Sequence, residues 1–149
     1  MIDRSPAQQA PTLVHDFGIA QPTPGRDFTL ASAERTLACA AGAGVAGERA
    51  ELLADAICVH TTPGVSIAHD GELGCYLQWG AMVDGAGLRM WDVSRANVEE
   101  VLRRYPRVDF KRQLVELMRA EAAAVPQGRF GLLVRCGVPL AVRMAPFAD

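Results

Sequence analysis

The feature that most constrains this chain is a series of helix-forming segments, each closely followed by glycine or proline. Helical patterning predicts helices over residues 30–41, 48–60, 70–84, 94–104 and 109–125. Glycine and proline end helices because glycine adopts the left-handed cap and proline lacks the amide hydrogen. This organisation predicts an all-α fold.

Polar residues at the predicted helix starts suggest caps. Asp27 or Thr29 is expected to cap the first helix and Asp70 the third, which Gly85 and Gly87 would end. Ser94-x-x-Asn97 resembles a capping pattern at the start of the fourth helix, although its last residue is not glutamate or glutamine.

The chain divides into three expected regions. Residues 1–12 are polar, contain two prolines and are expected to be poorly ordered. Residues 13–126 form the expected helical domain. Residues 127–149 are a C-terminal extension of uncertain structure, predicted either as short strands or as a helix broken by Gly137 and Pro139.

Length and charge restrict the class of function. The 149 residues suit one domain, and a net charge of −2 with scattered basic residues argues against a nucleic-acid surface. No apolar stretch reaches the roughly 18–20 residues of a membrane span, and no signal peptide follows Met1. The four cysteines form no CxxC pair and are expected to be reduced, mostly buried thiols. We therefore expect a cytoplasmic protein that acts on a small molecule, without nucleic-acid or membrane partners.

Two polar side chains fall on the apolar faces of predicted helices. Asp84 shares a face with Leu77, and His60 shares a face with Ile57. An inward carboxylate needs a metal ion, an arginine or a helix end as its partner, unless Asp84 points to solvent from a frayed helix. His60 is either a hydrogen-bonded core residue or part of a site.

An adjacent pair, His15-Asp16, stands before Phe17-Gly18. Neighbouring imidazole and carboxylate groups can reach one ion where a helix ends, and they suit Zn²⁺, Mn²⁺ or Fe²⁺ better than Ca²⁺. The chain contains a second such pair, His69-Asp70, which we interpret as a loop and a helix cap.

These pieces occur in a characteristic order. Leu-Val-His-Asp-Phe-Gly (13–18) is followed by Ala-Ile-Cys-Val-His-Thr-Thr-Pro-Gly (56–64), Gly-Glu-Leu (71–73), Gly-Ala-Met-Val-Asp-Gly-Ala-Gly-Leu (80–88) and Tyr-Pro-Arg (105–107). The combination, from about residue 13 to residue 110, resembles the HD superfamily of metal-dependent hydrolases. Within this superfamily, the sequence looks most like the cyanamide-hydratase-like HD proteins.

The resemblance implies an HD-domain-like helical bundle around a metal ion, with zinc first and iron or manganese as alternatives. It assigns His15, Asp16 and Asp84 as metal ligands, and Asp16 and His60 as catalytic groups that move a proton. Thr61, next to His60, is expected to contact the substrate. The implied chemistry is attack by metal-activated water on an electrophilic carbon or phosphorus.

The sequence departs from the family pattern in two places. No histidine precedes His15, so the family's first ligand is missing, and we expect an N-terminally shortened bundle whose uncovered apolar surface favours a homo-oligomer. Ile19 follows Gly18 where many phosphohydrolases of the superfamily have lysine, and the one lysine, Lys111, is distant. This favours hydration of a small polar, nitrile- or amide-like substrate over nucleotide hydrolysis. A catalytically impaired HD-domain remnant, acting as a binding or oligomerisation module, is the alternative.

Overall fold

The computed structural model describes residues 14–148 of the chain. The α-helices in this range are α1 Phe28–Gly42, α2 Glu48–Val59, α3 Ile67–Ala86, α4 Arg95–Arg104, α5 Phe110–Ala124, α6 Arg129–Arg135 and α7 Val138–Met144. Two 3-10 helices, Phe17–Ala20 and Met90–Asp92, complete the set. The only β pairing within these residues is a bridge between Thr23 and Arg26. The all-α prediction is confirmed, whereas the expected poor order of residues 1–12 lies outside the described residues.

Local caps explain two of the helix starts as predicted. Asp27 caps α1, because its carboxylate accepts the backbone N–H of Thr29 at 3.1 Å. Ser94 caps α4 by accepting the backbone N–H of Asn97 at 3.2 Å. Both helices therefore begin within two residues of the predicted position.

The third predicted helix needs correction at both ends. It begins at Ile67, three residues before the predicted start, and Asp70 accepts the backbone N–H of Ser66 from inside the first turn. A non-helical backbone at Gly71 interrupts it, and Gly87, with a φ of 66°, ends it. Gly85 was expected to end the helix but lies within it.

The hydrophobic core joins both ends of the described chain. Its main buried cluster contains Ile19, Phe28, Val115, Met118, Phe130 and Val142. The rings of Phe28 and Phe130 stack with centroids 4.9 Å apart. The sequence left the C-terminal extension open between short strands and a broken helix. It contains the helices α6 and α7, which Gly137 separates at a φ of 83°. These helices supply core residues.

A smaller buried cluster, Ala33, Ala54 and Ile57, joins α1 to α2. Helix α3 packs on α2 through Gly74, where an added Cβ would lie 2.7 Å from Cγ2 of Val59. The missing side chain allows these two helices to approach closely.

Four cationic side chains from two helices meet at one surface cleft. The cleft, of about 280 Å³, lies between α5 and α7 and is lined by Lys111, Arg112, Val115, Glu116, Arg119 and Arg143. Arg112 pairs with Asp109 and Glu116, whereas Arg119 and Arg143 make no ion pair within residues 14–148. Tertiary packing thus brings Arg143 beside three cationic residues of α5.

Two further sequence expectations can be compared with the fold. The cysteines are all free, but Cys39 and Cys136 are exposed, so the expectation of mostly buried thiols is wrong for these two. No helix among the described residues combines the length and hydrophobicity that a membrane span requires.

Candidate metal centre

The His15-Asp16 pair is held in place by the 3-10 helix that follows it. Asp16 immediately precedes Phe17–Ala20, and its backbone carbonyl accepts the N–H of Ile19 at 3.1 Å. The backbone N–H of Gly18 donates to Oγ of Ser32 on α1 at 2.9 Å, in a buried position. A Cβ at position 18 would overlap the carbonyl oxygen of Phe28, so the close approach requires glycine. The contacts of Gly18 therefore hold the His15-Asp16 pair next to the first two turns of α1.

His60 reaches the same place from the end of α2. It directly follows Val59, and only 2% of the residue is exposed. Its Nδ1 lies 2.6 Å from the carbonyl oxygen of Ile57. Since a carbonyl oxygen only accepts hydrogen bonds, Nδ1 carries the hydrogen, and Nε2 is the nitrogen free to face the site.

The three side chains surround one point. Nε2 of His15 lies 3.0 Å from Oδ2 of Asp16, and Nε2 of His60 lies 3.4 Å from Oδ1 of the same carboxylate. The imidazole rings of His15 and His60 meet edge to face, with centroids 5.1 Å apart. One ligand atom from each residue lies within 4.8 Å of the other two. That spacing permits one ion to contact all three after small side-chain adjustments, because such bonds are about 2.0–2.2 Å long.

The electrostatics of the cluster favour a charged carboxylate. Burial opposes the ionisation of Asp16, but hydrogen bonds and charge interactions from His15 and His60 outweigh it and hold its pKa well below the usual range. The side chain of Asp16 is 44% exposed and that of His15 is 21% exposed, whereas His60 is enclosed. The cluster therefore has one side open to solvent.

The structure does not bring Asp84 into this cluster, and its predicted inward position is wrong. Its side chain is 63% exposed and accepts from Nη1 of Arg107 at 2.6 Å. Helix α3 buries Gly74, Cys75 and Gln78 and packs Leu77 partly against the cluster of α1 and α2, whereas Asp84, seven residues later, stays exposed. The physical reason is that its carboxylate pairs with Arg107, whose side chain is only 6% exposed, and not with a group of the metal cluster.

The other predicted site residues lie together. His15 and Asp16 are adjacent to His60, and the buried position predicted for His60 is confirmed. The hydroxyl of Thr61 is buried and makes no hydrogen bond within residues 14–148. Its role in substrate binding stays a prediction.

Sequence reasoning overlooked a buried carboxylate, Glu121 on α5. It is 2% exposed, and its Oε1 accepts the backbone N–H of Phe28 at 2.9 Å, which adds a second carboxylate at the start of α1. Its position three residues after Met118 on an apolar helix face was the available signal.

It also overlooked Arg129, which joins α6 to α1 and to the loop after His60. No pattern in the sequence marks this arginine, because its partners lie 67 and 100 residues away.

Comparison with known proteins finds no matching family model, no matching curated protein and no matching solved structure.

Proposed function

We propose that His15, Asp16 and His60 bind a divalent transition metal ion, and that the protein is a metal-dependent hydrolase or hydratase. The observation that carries this proposal is the orientation of His60. Its Nδ1 hydrogen is committed to the carbonyl of Ile57, so in a neutral ring the Nε2 lone pair faces the Asp16 carboxylate at 3.4 Å. Two acceptors repel each other unless a proton or a cation lies between them.

His60 also has the hydrogen-bond arrangement of histidine ligands in metal sites. Such histidines commonly donate their other ring N–H to a carbonyl or carboxylate, which fixes the tautomer and the ring direction. His60 has this arrangement, which favours it as a third donor over the proton-transfer role that the family resemblance implies.

The donor set suits particular ions. Two imidazoles and one carboxylate are typical of Zn²⁺ and Fe²⁺ sites, and Mn²⁺ also accepts them, so zinc comes first with iron and manganese as alternatives. The exposed part of Asp16 leaves one side of the cluster accessible to water and substrate. A set of three protein ligands with an accessible position is the arrangement of catalytic zinc sites.

Residues of the chain would orient the water molecule and the substrate. A bound ion supplies Lewis acidity and lowers the pKa of a water molecule. Asp16 stays negatively charged at neutral pH because its pKa is lowered, so it can orient water by accepting a hydrogen bond. The hydroxyl of Thr61 has no hydrogen-bond partner within residues 14–148, so it would donate to a polar substrate that displaces the atoms covering it.

The substrate class follows from the residue after Gly18. Ile19 is 3% exposed and part of the core, so this position supplies no cation for a phosphate group. We therefore favour hydration or hydrolysis of a small nitrile- or amide-like substrate over nucleotide hydrolysis. The motifs of His15-Asp16 and His60, which resemble the HD superfamily, agree with this proposal, whereas the Asp84 motif does not, because Asp84 lies outside the cluster.

The competing interpretation is a metal-free ion pair between protonated His60 and Asp16 in a non-catalytic binding module. Metal analysis of the purified protein, followed by titration with Zn²⁺, Fe²⁺ and Mn²⁺, separates the two. We expect one equivalent of bound metal. We also expect His15→Ala and Asp16→Asn each to weaken binding by more than about tenfold.

His69 provides the matched control, since it is the one histidine outside the cluster and is exposed. The variant His69→Ala should bind metal like the natural chain. Equal losses in the His15 and His69 variants, or no uptake of any of the three ions, would overturn the metal proposal. Turnover of a panel of nitriles, amides and phosphate monoesters then tests the reaction class, with nitriles and amides expected to react.

A further inference from the structure

Arg129, the first residue of α6, joins two separate segments of the chain. Its Nε donates to Oγ1 of Thr62 at 2.9 Å, and its Nη1 donates to Oγ1 of Thr29 at 3.0 Å. The same Nη1 lies 3.2 Å from Oδ1 of Asp27. One planar guanidinium therefore fixes the distance between the start of α1 and the loop after α2.

The loop segment carries one side of the metal cluster. Thr62 is two residues after His60, and its backbone N–H bonds to the carbonyl of Val59 at 2.8 Å. The carbonyl of Thr62 accepts from Nε2 of Gln78 on α3 at 2.5 Å. Arg129 thus contributes the connection between this loop and α1.

The helix segment carries the other side. Phe28 lies between Asp27 and Thr29, two partners of Arg129, and places its ring edge to face against His60, with centroids 6.0 Å apart. The same α1 turns hold Asp16, through the hydrogen bond from Gly18 to Ser32. The first two turns of α1 therefore contact both sides of the cluster and hold them in position.

Two partners of Arg129, Asp27 and Thr29, keep their charge and their position. Burial opposes the charge on Asp27, but hydrogen bonds from Thr29 and the charge of Arg129 outweigh it and lower the pKa of Asp27. Asp27 therefore remains an anion at neutral pH. Thr29 is fully buried, so its hydroxyl keeps a fixed position on α1.

We infer that Arg129 is a positioning residue that sets the separation of His60 from Asp16 and His15. This inference rests on the proposed metal site. A lysine at this position would keep the charge, but its single ammonium lacks the planar fork that bonds Thr29 and Thr62 in different directions. Loss of the connection should let the His60 loop drift from the carboxylate.

The test compares metal affinity in the natural chain, Arg129→Lys and Thr62→Val, with Arg135→Lys as control. Arg135 ends the same helix, is exposed, and within residues 14–148 donates only to the carbonyl of Pro126. We expect Zn²⁺ affinity to fall about 10- to 100-fold in Arg129→Lys. Thr62→Val should show a smaller loss and the control none. The Co²⁺-loaded protein should show an altered visible absorption spectrum in Arg129→Lys, which reports ligand geometry.

A second readout is independent of metal. A nuclear Overhauser effect between the rings of His15 and His60 should be present in the metal-free natural chain and weakened in Arg129→Lys. Arg129→Lys and Thr62→Val proteins with unchanged ring contacts, Zn²⁺ affinity and Co²⁺ spectrum would overturn the inference. A natural chain that binds no metal would overturn the proposed function instead, and the ring contact would still decide the role of Arg129.

Discussion

Replacing Gly18 with alanine tests whether the 3-10 helix is seated on α1 as described. An added Cβ would overlap the carbonyl oxygen of Phe28 and would lie 3.0 Å from the carbonyl carbon and 3.1 Å from Cβ of Ala31. Two of these three atoms belong to helical backbone, which cannot turn aside as a flexible side chain can. The 3-10 helix must therefore move away from α1.

The expected cost has two parts. Overpacking of a fitted contact costs about 1–3 kcal/mol. Moving Gly18 also stretches its buried 2.9 Å hydrogen bond to Ser32, and an unsatisfied buried group costs about 1–3 kcal/mol. The total, about 2–6 kcal/mol, corresponds to a fall in thermal midpoint of roughly 4–24 °C for a chain of this size. Asp16 lies two residues away, so metal affinity should fall as well.

Thermal unfolding followed by circular dichroism is the assay, with Gly80→Ala as the matched control. Gly80 is inside α3, is exposed, and an added Cβ would meet no atom within 4 Å. Alanine there should raise stability by about 0.5–1 kcal/mol through its better helix propensity. A Gly18→Ala protein as stable as the natural chain would refute the described packing.

Three further predictions follow from the described contacts. Asp84→Asn should leave metal affinity unchanged but cost about 1–3 kcal/mol, since it removes the negative charge that pairs with the buried guanidinium of Arg107; reduced metal content would contradict the assignment. Burial raises the pKa of Glu121, although the hydrogen bond from the Phe28 N–H acts in the opposite direction. The Glu121 carboxyl group therefore holds its proton more tightly in the folded state than in the unfolded chain. The free energy of unfolding should therefore fall as pH rises from about 4.3 through the raised pKa, and Glu121→Gln should remove this fall in urea titrations at pH 4 and pH 8. An unchanged pH dependence would exclude Glu121 as its source. Replacing Arg119 and Arg143 together with glutamine should raise the thermal midpoint at low ionic strength but not in 1 M salt, because like charges in one cleft repel. Equal midpoints at low ionic strength would show that this repulsion is negligible.

Helix positions and the all-α class could be predicted because their causes are local. Asp27 and Ser94 cap helices through bonds to residues two and three positions away. The inward direction of His60 was also predictable, since the spacing of apolar residues in α2 defines its buried face. The grouping of His15 and Asp16 with His60 came from the order of motifs in the resemblance, and the relationship to the HD superfamily itself stays a prediction.

Asp84 shows where this reasoning fails. Helical spacing correctly placed it on the face of Leu77, but it could not say how far along α3 that face would be covered. Helices α1 and α2 cover Leu77 in part, whereas Asp84 is exposed and pairs with Arg107, 23 residues later in the sequence. Burial of a helix face is a property of two packed elements, so one helix's own sequence left it undetermined.

The sequence by itself determined the first five helical segments, the caps at Asp27 and Ser94 and the adjacency of His15 and Asp16. Only the tertiary structure decided that His60 would face their carboxylate, that α6 and α7 would complete the core, and that Arg129 would bridge Thr29 and Thr62. The physical reason is the range of the interactions involved. Caps and helix periodicity act over a few residues, whereas each of these contacts joins segments brought together by the packing of several helices.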